Sequence, residues 1–279
     1  MNAPSSITLP PPDDERRVPA NGIRLHAKRY GLQQGDATPV VLIGGLGSDT
    51  TLWVFQVAAL AAHRPVVTFD NRGAGRSDKP RAPYSIALLA DDVAGLLDGL
   101  GIDRAHIIGA SMGGFVAQAF AVRHPDRLSR LGLLCTSVGK RGVPPDPSVF
   151  AAMVHRDGDV AAHVRRAYRL FASAAWNEAH ASVIAWFVQR RLAQPMPGYA
   201  YQRQVEAASA FDGWADAARI VAPTLVLHGQ DDTVVPAANA ALLAERVPHA
   251  TARMLPGGHV FFMEHAEAVN EALVAFLQD

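Results

Sequence analysis

The sequence predicts an α/β fold: a mainly parallel β-sheet with helices on both faces and an inserted helical cap. Three observations carry that prediction. Short β-rich runs alternate with longer runs of helical period, the pattern that parallel strands joined by crossover helices require. That rhythm breaks between about residues 139 and 216, where helical patterns rich in Ala, Arg and aromatic residues take over. Finally, Gly109-Ala110-Ser111-Met112-Gly113 joins an apolar run to a helical one, as a sharp strand-to-helix turn would.

Taken in order, residues 1–17 read as a disordered tail, because Pro10-Pro11-Pro12 and the charged run Asp13–Arg17 offer nothing to bury. Gly22–Tyr30 reads as an antiparallel lead-in strand. The strands Val40–Ile43, Val66–Asp70, His106–Gly109, Leu131–Cys135, Thr224–His228 and Thr251–Leu255 follow, each a short β-branched or aliphatic run. Ser85–Leu100 carries apolar residues at Ile86, Leu88, Leu89, Val93, Leu96 and Leu97, the spacing of one helix face. Met112–His124 and Ala266–Leu277 read likewise. The core is therefore assigned to residues 18–138 and 218–279, and the cap to 139–217.

A helical insertion of that size cannot enter the sheet, so it is expected to roof one edge. Its aromatics, Phe150, Tyr168, Phe171, Trp176, Trp186 and Phe187, are expected to pack mainly within the cap and, as a group, to supply apolar pocket wall. Arg165, Arg166, Arg169, Arg190 and Arg191 are expected to form a solvated helix face.

Composition narrows the function. At 279 residues, 49% hydrophobic and 19% charged, the chain is long enough for one large core or a core with a small accessory domain. Its 26 basic residues balance 26 acidic ones, so no global field attracts nucleic acid or an anionic membrane. No run approaches the roughly twenty apolar residues of a membrane span, and the N-terminus lacks a signal-peptide core. A single cysteine, Cys135, excludes an internal disulfide, and a cytoplasmic protein is expected. The histidines lack zinc-motif spacing, and the glycine runs match neither a Walker loop nor a complete dinucleotide fingerprint. Neither metal nor cofactor is called for.

In the Gly109–Gly113 turn the flanking glycines leave room for a tight bend that exposes the Ser111 hydroxyl at the end of a strand. Serine is a poor nucleophile at neutral pH. It needs a histidine to take its proton and a carboxylate to orient that imidazole. Functional groups in an open parallel sheet gather beyond the carboxyl ends of the strands. His259, after Pro256-Gly257-Gly258, satisfies that rule. His249 lies at the wrong end of its strand, and His265 falls on the final helix. For the acid, Asp231 and Asp232 both follow the strand Thr224–His228, and local chemistry does not separate them. The oxyanion needs preorganised donors. The Met112 amide supplies one, and the Gly44-Gly45-Leu46-Gly47 loop supplies another at Leu46.

Together these residues resemble the α/β-hydrolase superfamily over nearly the whole chain from Gly22 onward. In that family an oxyanion loop usually reads His-Gly, where this chain has Gly44-Gly45-Leu46-Gly47, which keeps the Leu46 donor but no histidine side chain to brace the loop. Asp70-Asn71-Arg72-Gly73-Ala74-Gly75-Arg76-Ser77 resembles the family's D-x-R-G-x-G-x-S loop, which implies structural support near the elbow. The family acid lies three residues after a glycine and four before a proline. Gly229, Asp232 and Pro236 match, which selects Asp232.

Serine at the elbow argues against haloalkane dehalogenases and epoxide hydrolases. The motifs look most like small serine esterases and 3-oxoadipate enol-lactonases. That resemblance implies hydrolysis of small to medium carboxylic esters through an acyl-Ser111 intermediate, with lactones as the nearest alternative. A different class, a ligand sensor that keeps the triad but signals through cap closure, would show single modification rather than turnover. The expected partner is a small-molecule ester or lactone.

Overall fold

The computed structural model describes residues 9–156 and 158–278. Its framework is one eight-stranded sheet: β1 (Asp14–Ala20), β2 (Ile23–Tyr30), β3 (Val40–Ile43), β4 (Val66–Phe69), β5 (Ala105–Ala110), β6 (Leu128–Leu134), β7 (Thr224–Gly229) and β8 (Ala250–Leu255). The strands lie in the order β1-β2-β4-β3-β5-β6-β7-β8. Only the β1–β2 and β2–β4 pairings are antiparallel; every pairing from β4 to β8 is parallel.

The helices are α1 (Val57–Ala61), α2 (Ile86–Leu100), α3 (Met112–Arg123), α4 (Pro147–Val154), α5 (Val160–Phe171), α6 (Ala174–Ala179), α7 (Ala181–Ala193), α8 (Gly198–Ala210), α9 (Trp214–Ala217), α10 (Ala238–Arg246), α11 (Phe261–Glu264) and α12 (Ala266–Phe276). Buried side chains form two main clusters, one on each face of the sheet. One gathers α2, α3 and α10 side chains such as Leu89, Leu96, Val116, Phe120 and Leu243. The other gathers Trp53, Leu60, Phe262, Leu273 and the apolar side of the cap. Every residue of β3, β4, β5 and β7 is buried, because both faces of the central sheet are covered.

The expectation of a disordered tail over residues 1–17 fails at Asp14–Arg17. Residues 1–8 lie outside the described residues, but Asp14–Arg17 belong to β1 and pair with Arg29–His26. The charged run misled because β1 is an edge strand, whose outer positions tolerate charge and whose Pro19 needs no ladder partner. Its charges are used: Arg76 donates to Glu15 at 2.7 Å, and Arg17 reaches Asp78. The turn between β1 and β2 is Asn21-Gly22, both residues at positive φ (45° and 77°). That dipeptide is the two-residue hairpin signal, and with it the strand was legible.

α2 ends where its sequence says it should. Ser85 accepts from the Leu88 amide at 3.1 Å, and Gly101 closes the helix in the left-handed region at φ 67°. α10, by contrast, was not predicted. It starts after Ala237 with no side-chain cap and is rich in alanine, so neither its start nor its apolar face stands out. Between β6 and β7, residues of α4, α5, α7 and α8 line one cavity with residues that follow β3, β5 and β6. Gly139, at φ 84°, begins that excursion and bridges to Asp212 at its return.

Candidate active site

Ser111 sits between β5 and α3 with φ 56° and ψ −122°, a strained conformation for a residue with a side chain. The strain is held from several sides. The Ser111 amide donates to Leu134 O at 2.9 Å, while Ser111 O accepts from the Gly114 amide and the Thr136 hydroxyl, each at 2.9 Å. The two elbow glycines are required by contact. A Cβ on Gly109 would meet Gly113 O at 2.1 Å, and one on Gly113 would meet Ile43 O at 2.2 Å. Parallel pairing of β3 with β5 thus decides how close the elbow comes to the Gly44–Gly47 loop.

Asp232 and His259 come together beyond the ends of β7 and β8. His259 Nδ1 lies 2.8 Å from Asp232 Oδ2, both residues being buried. The other carboxylate oxygen accepts from the Val234 and Val235 amides at 2.9 and 2.8 Å. His228, fully buried, contributes further. Its Nε2 donates to Val235 O at 2.8 Å and lies 3.3 Å from Asp232 Oδ2. Burial alone would raise the Asp232 pKa, but the His259 charge, the His228 and His259 bonds and the Val235 amide outweigh it. The carboxyl is held well below the usual carboxylate range. Asp231 is exposed and takes part only through its backbone, donating to Gly257 O.

Ser111 and His259 line one cavity of about 150 Å³, together with Gly45, Leu46, Cys135, Tyr168, Phe171, Phe187 and Phe262. Cys135 stands in the wall beside Ser111 at φ 42° rather than within β6, and burial pushes its thiol pKa well up. The amides of Leu46 and Met112 donate to no protein acceptor among the described residues. Two unused N–H groups on the Ser111 side of a cavity are what a developing oxyanion would need.

Bracing of the Gly44–Gly47 loop comes partly from the Asp70–Ser77 loop, where support near the elbow was expected, and partly from Gln204, which sequence reasoning did not single out. Asn71 donates to Gly44 O at 2.9 Å. Its neighbour Asp70 accepts from the Thr50 amide and the Arg76 amide, each at 2.8 Å, and from His26 at 2.9 Å. From the cap, Gln204 accepts from the Gly47 amide and donates to Arg72 O, both at 2.8 Å. Arg191 donates to Gly47 O. The histidine loop is tied to the cap as well: Glu264 accepts from the Gly258 amide at 2.7 Å and from the Ser173 amide at 3.0 Å.

The arginines require a correction. Arg165, Arg169 and Arg190 are exposed, but Arg191 turns inward to the Gly44–Gly47 loop, and Arg190 and Arg191 both line the cavity. A helix face near a roofed cavity is not uniformly solvated, and long side chains carry charge across it. Of the cap aromatics, Tyr168, Phe171 and Phe187 line the cavity, while Trp176 stacks behind Tyr168 at 6.3 Å. No helix of the described residues is long and apolar enough to cross a membrane. No group of three or more His, Cys, Asp or Glu suited to a metal ion occurs among them.

Comparison with known proteins places this arrangement. A family model for the alpha/beta hydrolase fold matches residues 38–266. Among individual proteins, the chain is 34% identical to the putative carbamate hydrolase RutD of Caulobacter sp. (strain K31), over 91% of this chain and 95% of that one. It is 33% identical to the poly(3-hydroxyalkanoate) depolymerase of Ectopseudomonas oleovorans, over 86% and 84%. Among solved structures, the enol-lactonase from Burkholderia xenovorans LB400 superposes with a TM-score of 0.85 at 33% identity, covering 95% of this chain and all of that one (100%). With its elbow, its sheet order and a family match over most of its length, the chain belongs to the α/β-hydrolase fold family and is a hydrolase.

Proposed function

We propose that this hydrolase cleaves small to medium carboxylic esters through an acyl-Ser111 intermediate. One observation carries the reading. A buried, ionised Asp232 bonds a histidine that faces the same cavity as a serine at a strained strand-to-helix turn, with two unused amides beside it. His259 Nε2 takes the Ser111 proton as Oγ attacks the acyl carbon. The oxyanion is received by the Leu46 and Met112 amides. Collapse expels the alcohol, which takes its proton from His259; water then attacks the acyl-enzyme with His259 again as base, releasing acid and restoring Ser111.

The core and cap assigned above give this chemistry its division of labour, the core presenting reactive groups and the cap bounding the acyl chain. Lactone hydrolysis is the second reading, supported by likeness to the enol-lactonase. The carbamate hydrolase relative adds a carbamate carbonyl to the candidates. A panel of p-nitrophenyl esters, lactones and carbamates at fixed protein concentration separates these. Turnover of butyrate or hexanoate esters above palmitate, with covalent labelling of Ser111 by an organophosphonate, is the expected result. Each methylene buried in a bounded pocket contributes about 0.8 kcal/mol until the space is full. A rate that kept rising to palmitate would count against the small-ester reading. Stoichiometric labelling without turnover of any panel member would favour a sensor.

A further inference from the structure

Several arginines of the core are matched to carboxylates: Arg72 to Asp92 at 2.6 Å, Arg76 to Glu15 at 2.7 Å and Arg123 to Asp91 at 2.6 Å. Those in the cavity wall are not. Arg156 and Arg191 are half-buried, line the same cavity as Ser111 and have no carboxylate partner among the described residues. Arg156 donates through both terminal nitrogens to Met196 O at 3.2 Å and lies 4.9 Å from the centre of the Tyr201 ring. Arg191 bonds Gly47 O. Arg190, over Trp186, adds a third positive charge to the wall. Among the described residues the sole carboxylate side chain lining that cavity is Asp49, already accepting from the Thr51 amide and hydroxyl.

Carbonyl oxygens and an aromatic face offer only partial negative charge, so the guanidinium groups retain net positive charge beside an otherwise largely apolar cavity. Such an arrangement is costly for the empty protein and favourable once an anion enters. Burial lowers the Arg156 pKa, and the nearby Arg191 charge lowers it further, as expected for like charges facing a common space. A guanidinium also presents its donors as a fork that matches a carboxylate.

We propose that Arg156 and Arg191 form an anion subsite in the acyl pocket, selecting substrates whose acyl chain ends in a carboxylate. This rests on the ester or lactone hydrolase reading and names its substrate class. The acyl carbonyl sits at Ser111, and the distal carboxylate lies at the Gly47–Tyr201 end of the cavity, between the two arginines.

The test compares p-nitrophenyl pentanoate with the mono-p-nitrophenyl esters of succinate, glutarate and adipate. At least one half-ester should exceed the uncharged ester in kcat/KM by about tenfold or more, since charge-assisted hydrogen bonds are roughly twice as strong as neutral ones. That ratio should shrink with added salt. Arg156→Met should abolish the preference and Arg156→Lys should retain part of it, while Arg165→Met, the same charge change at an exposed cap position, should leave it intact. Because the readout is a ratio on one protein, a general loss of activity cancels.

Calorimetric titration of glutarate into the intact protein gives an independent arm, with binding expected in the parent and weakened in Arg156→Met. Ester turnover with no preference for any half-ester would overturn the subsite and leave the hydrolase reading standing. Glutarate binding lost in Arg156→Met, without turnover of any ester, would support the subsite and sink the ester reading. A preference that survives Arg156→Met, or absence of both binding and preference, overturns the proposal.

Discussion

The sheet and the helices that cover it hold the same loop by different means. From the sheet side, Gly44–Gly47 is positioned by strand pairing, by a glycine elbow and by Asn71, all close to motifs written in consecutive residues. From the cap side it is held by Gln204 and Arg191, single side chains that reach it from more than 140 positions away in sequence. His259 is placed in the same double fashion, by Asp232 from the sheet and by Glu264 bridging Gly258 to Ser173 at the cap. In the proposed mechanism the reactive groups are set by backbone geometry, while Gln204, Arg191 and Glu264 tie their loops to the helical segment between β6 and β7. A cap of this kind does more than exclude water. Through Gln204 and Arg191 it also holds Gly47, so in the proposed mechanism substrate choice and catalytic rate are expected to be coupled through one set of contacts.

The largest effects should come from the sheet side. Ser111→Ala is expected to lower kcat by roughly a million-fold, the order seen when a triad nucleophile is removed, with an unchanged thermal midpoint showing that the fold persists. More than about one per cent residual turnover would be incompatible with this role. Next comes the acid. Asp232→Asn removes the acceptor that sets the His259 tautomer, a loss that can reach about ten thousand-fold. Asp231→Asn, at an exposed carboxylate, should stay near the parent rate. Equal losses in the two variants would mean that the acid comes from elsewhere.

The cap side should give an intermediate effect that tests the comparison directly. Gln204→Leu leaves the Gly47 amide and Arg72 O without partners. It should lower kcat by about tenfold to a hundredfold, less than outright loss of an oxyanion donor, with little change in KM. Asn71→Ala, which frees Gly44 O, should resemble it. If Gln204→Leu kept the parent kcat and altered only KM, the cap would be a roof and nothing more.

The smallest effect on turnover, and the one that belongs wholly to the sheet side, concerns His26. Burial lowers its pKa, but its bonds to Asp70 at 2.9 Å and Glu15 at 2.8 Å more than reverse that, so the folded value lies above the ordinary 6.5. Asp70 moves the opposite way: burial raises it, but His26, the Arg76 amide and the Thr50 amide outweigh this and hold it below 3.8. His26 therefore contributes stability that is fully present below pH 6.5 and is lost as pH rises through its raised folded value. The Asp70 contribution is present above pH 3.8 and is lost as pH falls through its lowered folded value. The thermal midpoint should decline as pH rises above 6.5. His26→Gln should cost about 1 to 3 kcal/mol near pH 6 and flatten that limb. An unchanged pH profile would show that the ring is not charged in the fold.

What could be read in advance was whatever depends on neighbours in sequence. Alternating strand and helix periods gave the α/β class, and the spacing of apolar residues from Ile86 to Leu97 placed α2 to within a residue. Gly109 and Gly113 announced the turn around Ser111 because close backbone approach tolerates only glycine at those two positions. Even β1, overlooked behind its charges, had its signal in Asn21-Gly22. Between Asp231 and Asp232 local chemistry was silent, and only the match to a family spacing chose, because both carboxylates have the same neighbours. It is folding that buries one against His259 and His228 and leaves the other in solvent. The same limit applies to Gln204, Glu264, Arg156 and Arg191. Their side chains carry no periodicity that distinguishes an exposed helix face from a cavity wall. What each one does is decided by where a distant loop comes to rest against it, and only the packed tertiary structure supplies that position.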